Sequence, residues 1–112
     1  SEIYRQLSQR FPDSKYANGS NLAAGQALMR DKKLDEAATF FRGLVSGRDE
    51  TAAEAAHLLS QIELMQNRPQ QAAQVAQEAL KWLTAGDKLP LLRMDLADAL
   101  SALSASDGTS KD

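Results

Sequence analysis

The sequence predicts an all-α fold: about six antiparallel helices, paired as hairpins and stacked in a row. Three observations predict it. Alanine, leucine, glutamine and glutamate dominate, while aromatics are only 5% of 112 residues; such side chains lose little rotamer freedom in a helix. Apolar residues recur at helical spacing along most of the chain. Segments about 36 residues apart also resemble one another, and repetition at that period marks stacked helical units.

The first segment, Glu2 to Arg10, sets Ile3, Tyr4, Leu7 and Phe11 on one helical face. Pro12 stops it by disfavouring helix in the residue before it, and Asp13 or Ser14 is placed to cap the next helix. That second helix covers Lys15 to Arg30, with Ala17, Leu22, Ala24, Gly25, Leu28 and Met29 spread over more than one stripe. Asp31-Lys32-Lys33 is a short polar turn. A third helix, Leu34 to Val45, is strongly amphipathic through Leu34, Ala37, Ala38, Phe41, Leu44 and Val45. Gly47 is expected to end it in a left-handed conformation.

Thr51 and Glu54 have the T-x-x-E spacing of a capping box ahead of a fourth helix carrying Ala55, Leu58, Leu59, Ile62 and Met65. Pro69 suits the first turn of a fifth helix, where its missing N–H is not needed. That helix holds Ala72, Val75, Ala76, Ala79, Leu80 and Leu83, and closes near Gly86. Asp87 and Pro90 open a sixth, with Leu92, Leu96, Leu100 and Leu103 expected inside. The short connections imply antiparallel neighbours.

With 43% hydrophobic and 25% charged residues the chain belongs among folded domains, and its length suits one domain. A formal charge of −2, with basic residues scattered among acids, argues against a nucleic-acid surface. Cysteine is absent, which removes disulfides, thiol nucleophiles and cysteine zinc sites. No run approaches the roughly 20 apolar residues of a membrane span, so no direct membrane insertion is expected. No signal peptide is visible, and the opening residues read as the middle of a helix, as in an excised fragment.

The repetition is specific. Leu22, Leu28, Met29, Asp31 and Lys32 recur as Leu58, Leu64, Met65, Asn67 and Arg68; Tyr4-Arg5-x-Leu7 recurs as Phe41-Arg42-x-Leu44. Ala37 has a counterpart at Ala72 or Ala73, and Leu59-Ser60 at Leu96-Ala97. On these residues the chain resembles the tetratricopeptide repeat family. Ala24, Gly25 and Leu28 fit its first-helix positions, Lys32-x-Leu34-Asp35-Glu36-Ala37 its turn and second-helix start, and Phe41 and Leu44 complete one repeat. The next unit, Leu59-Ser60, Asn67-x-Pro69-Gln70-Gln71-Ala72, Ala76 and Ala79-Leu80, lacks the glycine and the large aromatic. The resemblance implies a right-handed α-α superhelix over residues 1–104. It would comprise the second helix of a preceding repeat, two hairpins and the first helix of a following one, with 105–112 a flexible tail. The stretch Phe11-Pro12-Asp13-Ser14-x-Tyr16-Ala17 is similar to a junction common in periplasmic repeat proteins of Gram-negative bacteria. That implies an envelope location, with the cytoplasm as the alternative.

Signals for chemistry are weak. His57 is the sole histidine; positions 53 and 61 hold Ala53 and Gln61, so it has no helical neighbour to share a metal. Asp35-Glu36 and Asp49-Glu50 are better explained as acids at helix starts than as an acid–base pair. No G-x-S-x-G elbow or phosphate-binding glycine loop occurs. Trp82 and Phe40-Phe41 are expected to fill the crevice between hairpins, with a ligand-lining patch as the alternative. No catalytic residue, metal or cofactor is predicted.

In tetratricopeptide proteins the first helix of each hairpin lines a concave groove that receives peptides or partner proteins. By position the resemblance assigns that role to Leu22, Gln26, Met29 and Arg30, then Glu54, His57 and Gln61, then Met94 and Asp98. The lysine–asparagine pattern that grips a C-terminal carboxylate is absent. The expected function is a protein–protein interaction scaffold within a larger envelope assembly or export protein. The alternative is a structural segment that self-associates through its exposed ends: Ile3, Tyr4 and Leu7 at one, Leu91, Met94 and Leu103 at the other.

Overall fold

The computed structural model describes residues 15–111, with side chains from 19 to 105. The expected helix at Glu2 to Arg10, its Phe11–Ser14 junction, and Ile3, Tyr4 and Leu7 lie outside the described residues. Those described form five α-helices and a short 3₁₀ turn, without strands. In order they are α1 (Lys15–Arg30), α2 (Leu34–Arg42), the 3₁₀ turn (Val45–Gly47), α3 (Glu50–Met65), α4 (Pro69–Trp82) and α5 (Lys88–Lys111). The chain divides into two compact units, Ser1–Ala55 and Ala56–Asp112, with the boundary inside α3.

In the first unit α1 and α2 pack as a hairpin. Gly25 lets them approach: a Cβ built there would lie 2.6 Å from Cε1 and 2.8 Å from Cζ of Phe41. The Phe41 ring, wholly buried, thus rests in the space a side chain would occupy on α1. Ala37 and Ala38, also buried, keep the same face of α2 small. The helix ends at Arg42, earlier than the apolar spacing suggests. Gly43, a poor helix former, is its C-cap, and Leu44 then turns in tightly, its N–H donating to the Phe41 carbonyl at 2.9 Å. Leu44 is buried by that tightening and Val45 only partly.

Two expected details change here. The left-handed residue is Arg48 (φ 54°), not Gly47. The cap of α3 is Asp49, not Thr51: Asp49 Oδ1 accepts the Ala52 N–H at 2.8 Å. Aspartate is the stronger N-cap, and its use draws Thr51 into the first turn, where no T-x-x-E box can form.

In the second unit α4 begins with Pro69 in its first turn, as expected, and α5 packs along it. Ala72 and Ala73 of α4 meet Ala99 of α5, with Leu64, Leu96 and Leu103 packed around them. Leu100, expected inside, is 47% exposed, and Met65, among the apolar positions of its helix, is 58% exposed. Leu100 lies at the edge of its helix's buried stripe, where a turn of about 100° per residue carries a side chain to solvent, and Met65 holds the place that exposed Arg30 has on α1. The last turns of α5 run to Lys111, through the segment for which the sequence predicts a flexible tail.

The hairpin turns are copies. Lys32 and Asn67 both have φ 63°. The Lys32 N–H donates to the Met29 carbonyl and the Lys33 N–H to that of Leu28, at 3.0 and 2.8 Å; Asn67 and Arg68 do the same to Leu64 and Glu63 at identical distances. This is the Schellman pattern, which satisfies the last carbonyls of a helix. Lys32 and Asn67 are 35 residues apart, and α1 and α3 have 16 residues each. Buried positions repeat at that interval: Ala24, Ala37, Ala38, Phe41 and Leu44 answer to Leu59, Ala72, Ala73, Ala76 and Ala79. The structural period is therefore one residue shorter than the match of Leu22 with Leu58 suggests. Gly25 corresponds to Ser60, and Leu59-Ser60 to Met94-Asp95 instead of Leu96-Ala97.

Substituting Gly25→Ala should destabilise the hairpin by about 1–3 kcal/mol, the usual range for overfilling a packed contact. Urea denaturation followed by helical circular dichroism would check this; Ala23→Ser, two residues away on a less buried position, serves as the control.

Candidate functional site

Residues assigned from the sequence to partner binding divide between the two units. In the first, Leu22, Gln26, Met29 and Arg30 fall along one stripe of α1, at helical offsets of 4, 7 and 8. Gln26 and Arg30 are exposed, Leu22 and Met29 half-buried. Gln26, Met29 and Arg30 border a shallow depression of about 500 Å³ with Ala23 and Ala27. The alanines supply a low floor, the amide and guanidinium supply hydrogen bonds, and the thioether supplies adaptable apolar contact. Glu54, in the same unit, is half-buried and engaged within the protein.

In the second unit Gln61 is exposed on α3, at the place Gln26 has on α1. His57 has a different environment from the groove-lining position expected. Its Nδ1 lies 2.6 Å from Oδ2 of Asp95 on α5, with 15% of the imidazole and 7% of the carboxylate side chain exposed. In the neutral ring Nδ1–H donates and the carboxylate accepts, which leaves Nε2 as the ring's remaining polar atom. The bond ties two helices together across 38 residues of sequence. Burial, first, pushes the Asp95 carboxyl above its ordinary 3.8; the hydrogen bond and charge of His57 pull it down, and repulsion from Asp98 adds to the rise.

Met94 and Asp98 are exposed on α5, but on another face. At the 35-residue period Met94 answers to Ala24 and Leu59, buried in their own helices, and it is 63% exposed. The groove positions of α1 and α3 correspond instead to Leu92, fully buried, and Leu96, half-buried. Placing Met94 and Asp98 with the others used a period two residues too long.

Two features were missed. Ser60, fully buried, donates its hydroxyl to the Ala72 carbonyl of α4 at 3.0 Å. It stands where Gly25 stands in the first hairpin, so the crossing that an aromatic ring fills there is bridged here by a hydrogen bond. The second is a depression of about 350 Å³ bordered by Gln70, Gln71, Gln74 and Gln77 of α4 with Leu100 and Leu103 of α5. The glutamine spacing of 1, 4 and 7 was a readable signal for it.

Trp82 and Phe40 are half-buried and Phe41 buried. Asp35, Glu36 and Glu50 occupy first turns of helices, where acids offset the exposed N–H groups. Among the described residues no three His, Cys, Asp or Glu side chains gather as metal ligands, and no helix is long and apolar enough to cross a membrane. Comparison with protein-family models, with curated proteins and with solved structures finds no match.

Removing the buried hydroxyl with Ser60→Ala should cost about 1 kcal/mol, the net worth of one neutral hydrogen bond. Ser60→Val, which also adds volume at the crossing, should cost more. Thermal unfolding of the two variants beside the wild type would establish the order.

Proposed function

We propose that this chain is a protein–protein interaction module, in which the exposed stripe of a first helix receives an extended peptide or a segment of a partner's surface. One observation carries the reading: Gln26, Met29 and Arg30, singled out by position in the sequence, lie together around one depression on α1. The mixture suits a peptide. Glutamine pairs with backbone N–H and C=O groups, arginine with a carboxylate or carbonyl, and methionine adapts to apolar side chains. The Schellman-turned hairpin recurring every 35 residues supports the resemblance to tetratricopeptide repeats, and with it a right-handed superhelical scaffold. A place in a larger bacterial envelope assembly or export protein rests on the Phe11–Ala17 resemblance alone. No catalytic step belongs to this reading.

Short peptides selected on the wild-type chain from a random displayed library should bind the Arg30→Glu variant at least about tenfold more weakly, the loss of one charge-assisted bond. Gln26→Ala should weaken them less, and both variants should keep their helical circular dichroism. Failure to select any peptide, or undiminished binding to Arg30→Glu, would reject the proposal; loss of helicity would make these residues structural.

Self-association is the second reading, favoured by Met94 and Leu100, large apolar side chains 63% and 47% exposed on α5. Sedimentation over a hundredfold concentration range should then show a dimer that Met94→Lys with Leu100→Lys abolishes. A monomer at every concentration excludes it.

A further inference from the structure

The His57–Asp95 contact holds α3 to α5 in the second unit, and its chemistry is unlike the alanine and leucine packing around it. The two groups meet at 2.6 Å, both mostly withdrawn from water. Such a pair has two uncharged totals, an imidazolium facing a carboxylate and a neutral ring facing a carboxylic acid, and these differ only in where one shared proton sits. Remove that proton and a buried carboxylate faces a neutral ring, so the pair carries a net negative charge in a poorly solvated place. Glu54, three residues before His57 on α3, is half-buried and engaged within the protein. Glu78 and Lys81 of α4 are bonded to each other in the open, and Glu63 lies within 3.7 Å of Arg68 at the end of α3. Asp98, on α5 itself, is the one that acts on Asp95, and it adds repulsion.

We propose that His57 and Asp95 form a proton-dependent fastener: with one shared proton the pair clamps α5 against α3, and without it the clamp weakens. Acidification then tightens this part of the second unit. The direction follows from burial, the same cause that holds the Asp95 carboxyl above its ordinary 3.8: the unprotonated pair keeps a net charge out of water, and the singly protonated pair keeps none. A pair that holds its shared proton more tightly when folded than its groups do when unfolded contributes most below the unfolded affinity, and that contribution is lost as pH rises through the folded one. The ordinary paired carboxylate behaves in the opposite sense.

The test is urea unfolding of the full chain from pH 8 to pH 4, with Asp95 kept and with Asp95→Asn. Asparagine keeps the shape and can accept the Nδ1–H bond, but it takes up no proton. Carboxylates away from the pair titrate alike in both proteins and cancel in the comparison; Asp98, which repels Asp95, is replaced by asparagine in both. The folding constant of the chain that keeps Asp95 relative to Asp95→Asn should rise as pH falls, up to tenfold for each unit by which the folded pair exceeds the unfolded group in proton affinity. A ratio that stays flat, or that falls in acid, overturns the proposal. Should Asp95→Asn fail to fold, a wild-type NMR titration decides. The Asp95 carboxyl carbon should report proton uptake above its ordinary 3.8; a carboxyl titrating at or below that value overturns it equally.

Discussion

The close crossing of two helices is the constraint on which the rest of this structure depends. Short helices with few aromatics cannot bury enough surface unless their backbones come near, and near approach requires one partner to be small where the other is large. Gly25 and Phe41 are one solution, in which a wholly buried ring occupies the space of a missing side chain. Ser60 and Ala76 are the other. Both are small, the large side chain is gone, and a hydroxyl-to-carbonyl bond holds the crossing from Ser60 to Ala72. The two units therefore meet the same geometric demand by different physics: dispersion and apolar burial in the first, a directional polar bond in the second.

Helices and their order were legible from the sequence because they depend on local chemistry. Proline at a first turn, alanine-rich faces and polar turns act within a few residues, so α1, the start of α4 and both hairpin turns stand where they were expected, while α4 ends at Trp82, short of Gly86. Boundaries set by competition between neighbouring signals were less legible. Thr51 matches a capping motif, yet Asp49, two residues earlier, has the better side chain and takes the cap. Gly47 looks like a stop, yet the helix has already ended at Gly43, and Arg48 takes the left-handed conformation.

The period was harder to fix than the repeat. Residue likeness favours 36, because leucine falls on leucine at Leu22 and Leu58, whereas hydrogen bonds and burial settle on 35. Likeness of side chains reports composition as much as place, and in an alanine–leucine helix many slips look alike. The turn admits no such freedom, since only one residue in each can hold φ 63° and close the paired hydrogen bonds. Fixing the period there would have moved attention from Met94 to Asp95, which stands in line with Gly25 and Ser60. The sole histidine then finds a partner that no inspection of its own helix could reveal, for the two are 38 residues apart.

That line of Gly25, Ser60 and Asp95 becomes steadily more polar along the chain, and the trend has a consequence for how the molecule responds to its surroundings. An interface of ring against glycine is indifferent to pH and weakly directional. One built on a serine hydroxyl is directional but still carries no charge. One built on a buried aspartate facing a histidine is directional and responds to protons, because its charge state must change when the solvent's does. Glu63, 3% exposed where Leu28 stands in the first hairpin, follows the same trend. If both proposals hold, the response to pH would belong to the second unit, and the ring-filled crossing of the first would hold the open stripe of Gln26, Met29 and Arg30 steady for a partner.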